Sequence, residues 1–306
     1  MKTRFTFRHC AEYAGLRMVQ CVLTIIPIPW TGVLLSGILH LVFCVAWPLR
    51  KETVSRIREV FGADTSMEVC RRIARISVWN MLMNFVEMFH ASRMDMAYLK
   101  SHLIGTEEAR AQLRSLIDKY GGVVIALPHM GNWDLAGVAC SIFGFPLMAI
   151  GRPQNNPLFE AWLRRSRLNF QTVDKRSANS FIRIVHHLKG GGVFAILPDV
   201  RHNKPGVSTT VFGKPGVQLG KGVSKFARMA NVPIVPIVME RLDASHHQLY
   251  VGSPILPNLD VAATEDAVRV TQQIWNMFEH YIRAKPEQWF WHNRRWILTP
   301  LYTQTR

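Results

Sequence analysis

Acidic residues are scarce in this chain. Its 306 residues hold 21 Asp plus Glu against 37 Lys plus Arg, a formal net charge of +16. A surplus of that size points to a polyanionic partner: nucleic acid, an anionic membrane surface or a phosphorylated lipid. Cysteine is scarce too. Cys10, Cys21, Cys44, Cys70 and Cys140 form no CxxC pair and no metal-ligand spacing. That argues against a disulfide framework and fits a reducing compartment. There is no fixed-period repeat and no low-complexity segment. At 48% hydrophobic and 19% charged residues, neither a disordered nor a collagen-like chain is compatible. The length allows one large domain or two small ones.

Charge is missing altogether from Met18 to Leu49. A bilayer core needs about 20 apolar residues in a helix, so the stretch is long enough. Pro27 and Pro29 divide it, Pro48 ends it, and Trp30 and Trp47 suit two membrane interfaces. A spanning or deeply embedded anchor over residues 1–50 is expected. The alternatives are a buried helical hairpin or one lying flat in the interface. No small-residue cleavage site follows, so a secretory leader is not expected.

Residues 51–306 are expected to form one α/β domain with a helical N-terminal part, 51–105. Val69, Ile73, Ile76, Trp79, Met83 and Val86 recur every three to four residues, as in an amphipathic helix. From about residue 105 short apolar runs at 123–127, 146–150, 193–197 and 234–238 alternate with helical stretches, and 261–284 reads as a further long helix. Such alternation implies a mostly parallel central sheet flanked by helices.

Two segments echo each other. Gly121-Gly122 and Gly191-Gly192 each precede a five-residue apolar run, a proline and a polar residue, His129 or Asp199. Ligand sites in open α/β sheets lie outside the carboxyl ends of the strands. His129 and Asp199 should therefore reach the same edge.

His129 begins an HxxxxD motif that ends at Asp134. Gly131 and Asn132 permit a tight turn, and Asn132 suits a helix N-cap. Asp134 would then sit in the first helical turn, where it can accept from one imidazole nitrogen and leave the other as a base. A hydroxyl nucleophile needs such a base. Backbone N–H groups near Gly131 and Asn132 suit a developing oxyanion. The plainer alternative is a structural histidine beside an acid that complements the helix dipole. Arg152, at the end of the next strand, should reach the same edge. Asn155 and Arg164 belong to the following helix, and Asp199 and Arg201 follow a later strand. The polar stretch 202–222 is long enough for a substrate-covering loop. Residues 286–296, Pro-Glu-Gln-Trp-Phe-Trp-His-Asn-Arg-Arg-Trp, suit an interface with phosphorylated headgroups. For any single tryptophan there, a place in the core is the simpler reading.

HxxxxD, GRP with NNPL, LPDVR, VPIVPIV and PEQWFWHNRRW, in that order, resemble the bacterial lipid A late acyltransferase family. The mycobacterial phosphatidylinositol mannoside acyltransferases are similar, within the wider glycerophospholipid acyltransferase superfamily. The resemblance runs from about residue 13 to 296. It implies acyl transfer from an acyl carrier protein or coenzyme A thioester to a hydroxyl of a lipid A precursor. It implies His129 as general base, Asp134 as its orienting carboxylate, and Gly131, Asn132, Arg152, Asn155, Arg164, Asp199 and Arg201 around the substrates. No metal or redox cofactor is implied. Nor is a covalent enzyme intermediate, since the motif holds no Ser or Cys nucleophile. The implied partners are an anionic membrane lipid, a phosphorylated glycolipid acceptor and acyl carrier protein. The implied location is the cytoplasmic face of the cell inner membrane.

Two departures keep another acceptor open, a glycosylated phosphoinositide or an aminolipid. The family often carries a second acid where this chain has Arg201, and Phe212-Gly213-Lys214 differs from the usual lipid A pattern. Nucleic-acid binding has only the charge in its favour, because no zinc-finger, RNP-like or helix-turn-helix signature is present. A catalytically silent membrane scaffold is the remaining alternative.

Overall fold

The computed structural model describes residues 5–299 except 46, 152, 168, 169, 175, 176, 178 and 203, and leaves aside the side chains of 40–49. Helix α1 (Phe7–Ile25) begins at a reciprocal capping box between Thr6 and His9. A break at Ile26-Pro27 separates it from α2 (Ile28–Val45), which takes Pro29 in its first turn and is followed by α3 (Trp47–Phe61) and α4 (Met67–His90). The inner faces of α1 and α2 pack on the domain. Gln20 donates to the Phe89 carbonyl and accepts from Trp162 Nε1, and Trp79 Nε1 donates to the Gly32 carbonyl. Their outer faces are apolar and exposed. Phe7, Ala11, Ala14, Met18, Val22 and Ile25 make one stripe along α1, and Trp30, Val33, Leu34 and Ile38 extend it along α2. Among the described residues no helix is long and apolar enough to cross a membrane. The spanning form of the expected anchor therefore has no support here, while the exposed stripe suits a helix pair lying flat.

The α/β part carries α5 (Met96–His102), β1 (Leu103–Ile104), α6 (Thr106–Tyr120), β2 (Val123–Ala126), α7 (Trp133–Ile142), β3 (Leu147–Gly151), α8 (Pro157–Ser166) and β4 (Gln171–Asp174). It continues with α9 (Ser180–Lys189), β5 (Val193–Ile196), β6 (Val207–Val211), β7 (Lys214–Leu219), α10 (Gly222–Ala230), β8 (Ile234–Arg241), β9 (His247–Val251) and α11 (Ala263–Ala284). The seven-stranded sheet has the order β1-β9-β8-β2-β5-β3-β4. Strands β8, β2, β5, β3 and β4 are mutually parallel. β9 runs antiparallel to β8 and carries β1 with it. The cause is the short link after β8. Leu242 N–H donates to the His246 carbonyl, and Asp243 accepts from the amides of Ser245 and His246. So tight a turn makes a hairpin, whereas a parallel crossover needs a dozen residues or more.

Alternation along the strands builds two cores. Val124 and Ala126 face the core shared with α9, α10 and α11. Val123, Ile125 and Leu127 face the core shared with α6 and α7. Both faces are covered, so β2 reads as an unbroken apolar run.

The stretch 202–222, expected to be a covering loop, instead contains the β6–β7 hairpin fixed to α11. Gln272 Oε1 accepts from Thr209 Oγ1 and the Thr210 amide, and Glu279 accepts from the Phe212 amide. Phe212 takes a φ of 51° at the hairpin tip. Its ring packs edge-on against Trp275 and Trp289, a gain that offsets the strained backbone.

Candidate active site

His129 and Asp199 come together because β2 and β5 pair in parallel register. Val123 lies opposite Val193 and Ala126 opposite Ile196. Three further residues on each strand bring His129 opposite Asp199. His129 Nδ1 lies 2.7 Å from Asp199 Oδ1, and the His129 amide donates to Asp199 Oδ2 at 2.7 Å. Trp289 Nε1 also donates to Oδ2, at 2.8 Å. Asp199 is 1% exposed at its side chain and His129 22%. Burial alone would raise the Asp199 carboxyl. The His129 ring and the three hydrogen bonds outweigh it and hold the group below the usual carboxylate range. With Nδ1 facing a carboxylate, the neutral imidazole carries its proton there, which leaves Nε2 as the ring's acceptor nitrogen.

Asp134 is placed differently from expectation. It stands in the first turn of α7, as the motif predicts. Its Oδ1, however, accepts from Arg167 Nε at 2.9 Å and an Arg167 terminal nitrogen at 2.8 Å. The carboxylate on Nδ1 of His129 is Asp199, and Asp134 braces α7 against the end of α8. Neither Arg167 nor Trp289 had been singled out as a site residue. Arg167 lies three residues after Arg164 on the same helical stretch, a visible signal. Trp289 belongs to the PEQWFWHNRRW motif, but that its indole reaches Asp199 depends on tertiary packing.

The remaining candidates divide. Gly131 has a φ of 56°, and a Cβ there would stand 2.0 Å from the Met239 carbonyl oxygen, so only glycine fits. Its N–H donates to the Gln288 carbonyl at 3.1 Å and is therefore not an oxyanion donor. Asn132 is buried. Its Oδ1 caps Leu135 N–H and its Nδ2 donates to Glu87, so it shapes the turn and does not face substrate. Asn155 and Arg164 are exposed. The structural anchor of that block is Asn156, which caps α8 and donates to the His9 carbonyl and Glu12. The amide of Arg201 donates to the Arg295 carbonyl, joining LPDVR to the C-terminal motif. Arg152 lies outside the described residues. In the C-terminal motif Trp289, Trp291 and Trp296 are core residues, while Arg294 and Arg295 are exposed.

An apolar cavity of about 290 Å³ starts beside this pair. Small residues create it. Ala149 and Ala195 stand next to each other in the sheet, and Ala136, Gly137, Ala139 and Cys140 of α7 face them. Gly151, Gln154, Arg167 and Thr172 line it on the β3–β4 side, and the buried side chains of Leu113, Ile237 and Leu249 line it on the β8–β9 side. The lining crosses six adjacent strands from β4 to β9. At the usual strand spacing that is ~24 Å, the scale of an extended long acyl chain. His129 and Trp133 line the cavity, and with Phe290 they form an aromatic cluster, ring centroids 5.1 Å (His129–Trp133) and 6.0 Å (Trp133–Phe290) apart. Among the described residues no group of His, Cys, Asp and Glu is placed to hold a metal ion.

The pattern of the bacterial lipid A biosynthesis acyltransferases matches residues 2–297. The lipid A biosynthesis palmitoleoyltransferase of Escherichia coli is 26% identical over 59% of this chain and 57% of its own length. The phosphatidylinositol mannoside acyltransferase of Mycobacterium tuberculosis is 24% identical over 58% of this chain and 55% of its own. That of Mycolicibacterium smegmatis is 24% identical over 60% of each. The chain thus spans little more than half the length of these curated relatives. With the family pattern matched almost end to end, the chain belongs to the bacterial lipid A biosynthesis acyltransferases.

Proposed function

We propose that the protein transfers a fatty acyl chain from a thioester donor to a hydroxyl of a phosphorylated glycolipid, and that His129 and Asp199 carry the chemistry. The observation that carries this reading is the imidazole–carboxylate pair at the side of a long apolar cavity. The acyl chain lies in the cavity, with its thioester carbonyl beside His129. Nε2 of His129 takes the proton of the acceptor hydroxyl. The oxygen attacks the carbonyl carbon, the C–S bond breaks, and the thiolate leaves with the proton from His129 or from water. Asp199 holds the ring and stabilises the imidazolium. The Trp133 and Asp134 amides, in the first turn of α7, replace Gly131 as donors to the oxyanion. The thioester already supplies an activated acyl group, so the reaction as proposed uses no metal or redox cofactor. Transfer is direct.

The donor is acyl carrier protein or acyl-coenzyme A, and the basic surface suits either anion. A lipid A precursor is the first acceptor to test, given the family. A mannosylated phosphoinositide is the second, given the relatives that act on that lipid by name. The exposed stripe of α1 and α2 seats the protein in the membrane interface, and the proposed place is the cytoplasmic face of the inner membrane.

Mass spectrometry of total lipids from cells with and without the protein tests the reading. One added acyl chain on lipid A is expected, and it should vanish with a folded His129→Ala variant. Full transfer by that variant overturns the mechanism.

A further inference from the structure

Beneath the turn that follows His129 lies a second buried polar net. Glu87 of α4 and Arg241 at the end of β8 are 1% and 4% exposed. They meet as a two-pronged ion pair, 2.9 Å to Oε1 and 2.5 Å to Oε2. Each then reaches the turn. Glu87 Oε2 accepts from Asn132 Nδ2 at 2.6 Å. Arg241 donates to Asn84 Oδ1 at 2.7 Å, and Asn84 Nδ2 donates to the Gly131 carbonyl at 2.7 Å. The Arg241 backbone exchanges two 2.7 Å hydrogen bonds with the Gln288 side chain, while the Gln288 carbonyl takes the Gly131 N–H. His247 Nε2 adds a contact to Glu87 Oε1 at 3.2 Å.

Stability alone is a poor reason for such a net. Taking two charges out of water is costly, and well-packed apolar residues often serve the fold as well or better. What apolar residues cannot supply is direction. Here directional bonds fix both peptide groups and the side chain of residues 131–132, the link between the His129 backbone and the first turn of α7.

We infer that Glu87 and Arg241 are positioning residues, which hold the Gly131–Asn132 turn so that the N-terminus of α7 stays aimed at the carbon that His129 activates the hydroxyl to attack. This inference rests on the acyltransferase reading above. Neither residue touches substrate. Their effect passes through Asn132, whose Oδ1 sets the first turn of α7 while its Nδ2 is held by Glu87.

The test replaces the pair by apolar side chains, Glu87→Met with Arg241→Met, in the full chain. Three quantities are read: the thermal midpoint, amide hydrogen exchange at residues 131–136, and steady-state acyl transfer. The expected result is a folded variant with a lower midpoint, because Asn84, Asn132 and His247 lose buried partners, with exchange at 131–136 faster by about 10-fold and kcat lower by about 10- to 100-fold at nearly unchanged KM. Unchanged exchange and kcat in the folded double variant overturn the inference. Should that variant not fold, Asn132→Ser keeps a helix-capping oxygen but loses the donor to Glu87. The same exchange and kcat changes are expected from it, and wild-type values overturn the inference. Absence of transfer by the wild type would defeat the acyltransferase reading instead, and the exchange rates would still decide whether the net holds the turn.

Discussion

Asp199 grips His129 twice, once at the ring through Nδ1 and once at the backbone amide, each at 2.7 Å. The double grip fixes both the orientation of the imidazole and the place where the chain leaves β2. Asp134, five residues from His129 in sequence, contributes to neither and pairs with Arg167 instead.

The two carboxylates should therefore separate kinetically. Asp199→Asn keeps an oxygen for Trp289 but favours the wrong imidazole tautomer, so kcat should fall by about 10²- to 10⁴-fold. Asp134→Asn loosens the Arg167 brace and should cost about 10-fold, with part of the loss in KM. Measured kcat for the two folded variants decides it, and a larger loss in Asp134→Asn would reverse the assignment.

Chain length should respond to the middle of the cavity. Ala195 lies between Ile125 and Ala149 on the sheet row that lines it. Ala195→Leu puts a branched side chain across the path. Product analysis with a mixture of donors should show a shift to shorter acyl chains, with the shortest donors still used. An unchanged product distribution would show that the chain lies elsewhere.

A buried and a half-buried histidine should make the fold acid-sensitive well above the carboxylate range. Burial pushes His247 down to about 4, against the pull of Glu87. Burial, with Arg56 adding to it, does the same to His292, whose two ring nitrogens meet Thr53 and Ser77 hydroxyls. In the unfolded chain each titrates near 6.5. As pH falls below that value the unfolded state takes up protons first, so stability drops. Their contribution is fully present above about 6.5, declines through the window down to about 4, and changes no further below it. Urea midpoints measured across that window should fall steadily, and His292→Asn should flatten part of the slope. A slope identical in the variant would remove His292 from the account.

Membrane attachment should depend on the outer stripe of α1. Met18, Val22 and Ile25 are exposed, so changing all three to Ser should leave the thermal midpoint nearly unchanged. Loss of their apolar area should weaken partition onto anionic vesicles by about 10-fold or more. Sedimentation with vesicles reads this directly, and undiminished binding would place the contact surface elsewhere.

Much of the domain was legible along the chain because its signals are local. Unbroken apolar runs bounded by glycine pairs mark β2 and β5, and their matching layout already placed His129 and Asp199 at one edge. Other features depend on distant partners. β4 and β9 are short, polar at several positions and recognisable only beside β3 and β8. The stretch 202–222 looks like a loop until α11 supplies Gln272 and Glu279 to pin it as a hairpin. The long uncharged N-terminal run looks like a membrane span until α4 and α8 claim its inner face.

The amino-acid sequence by itself determined the resemblance to the family, the alternation of strands and helices, and the shared sheet edge of His129 and Asp199. Each follows from residue types at short spacing. Which carboxylate serves His129 was decided only by the tertiary structure. Asp134 is near in sequence, but the first turn of α7 turns its side chain toward Arg167. Asp199 is seventy residues away, yet parallel pairing of β2 with β5 advances both chains in step and sets it against the ring. Proximity along the chain fixes what can form locally, and strand register fixes what meets.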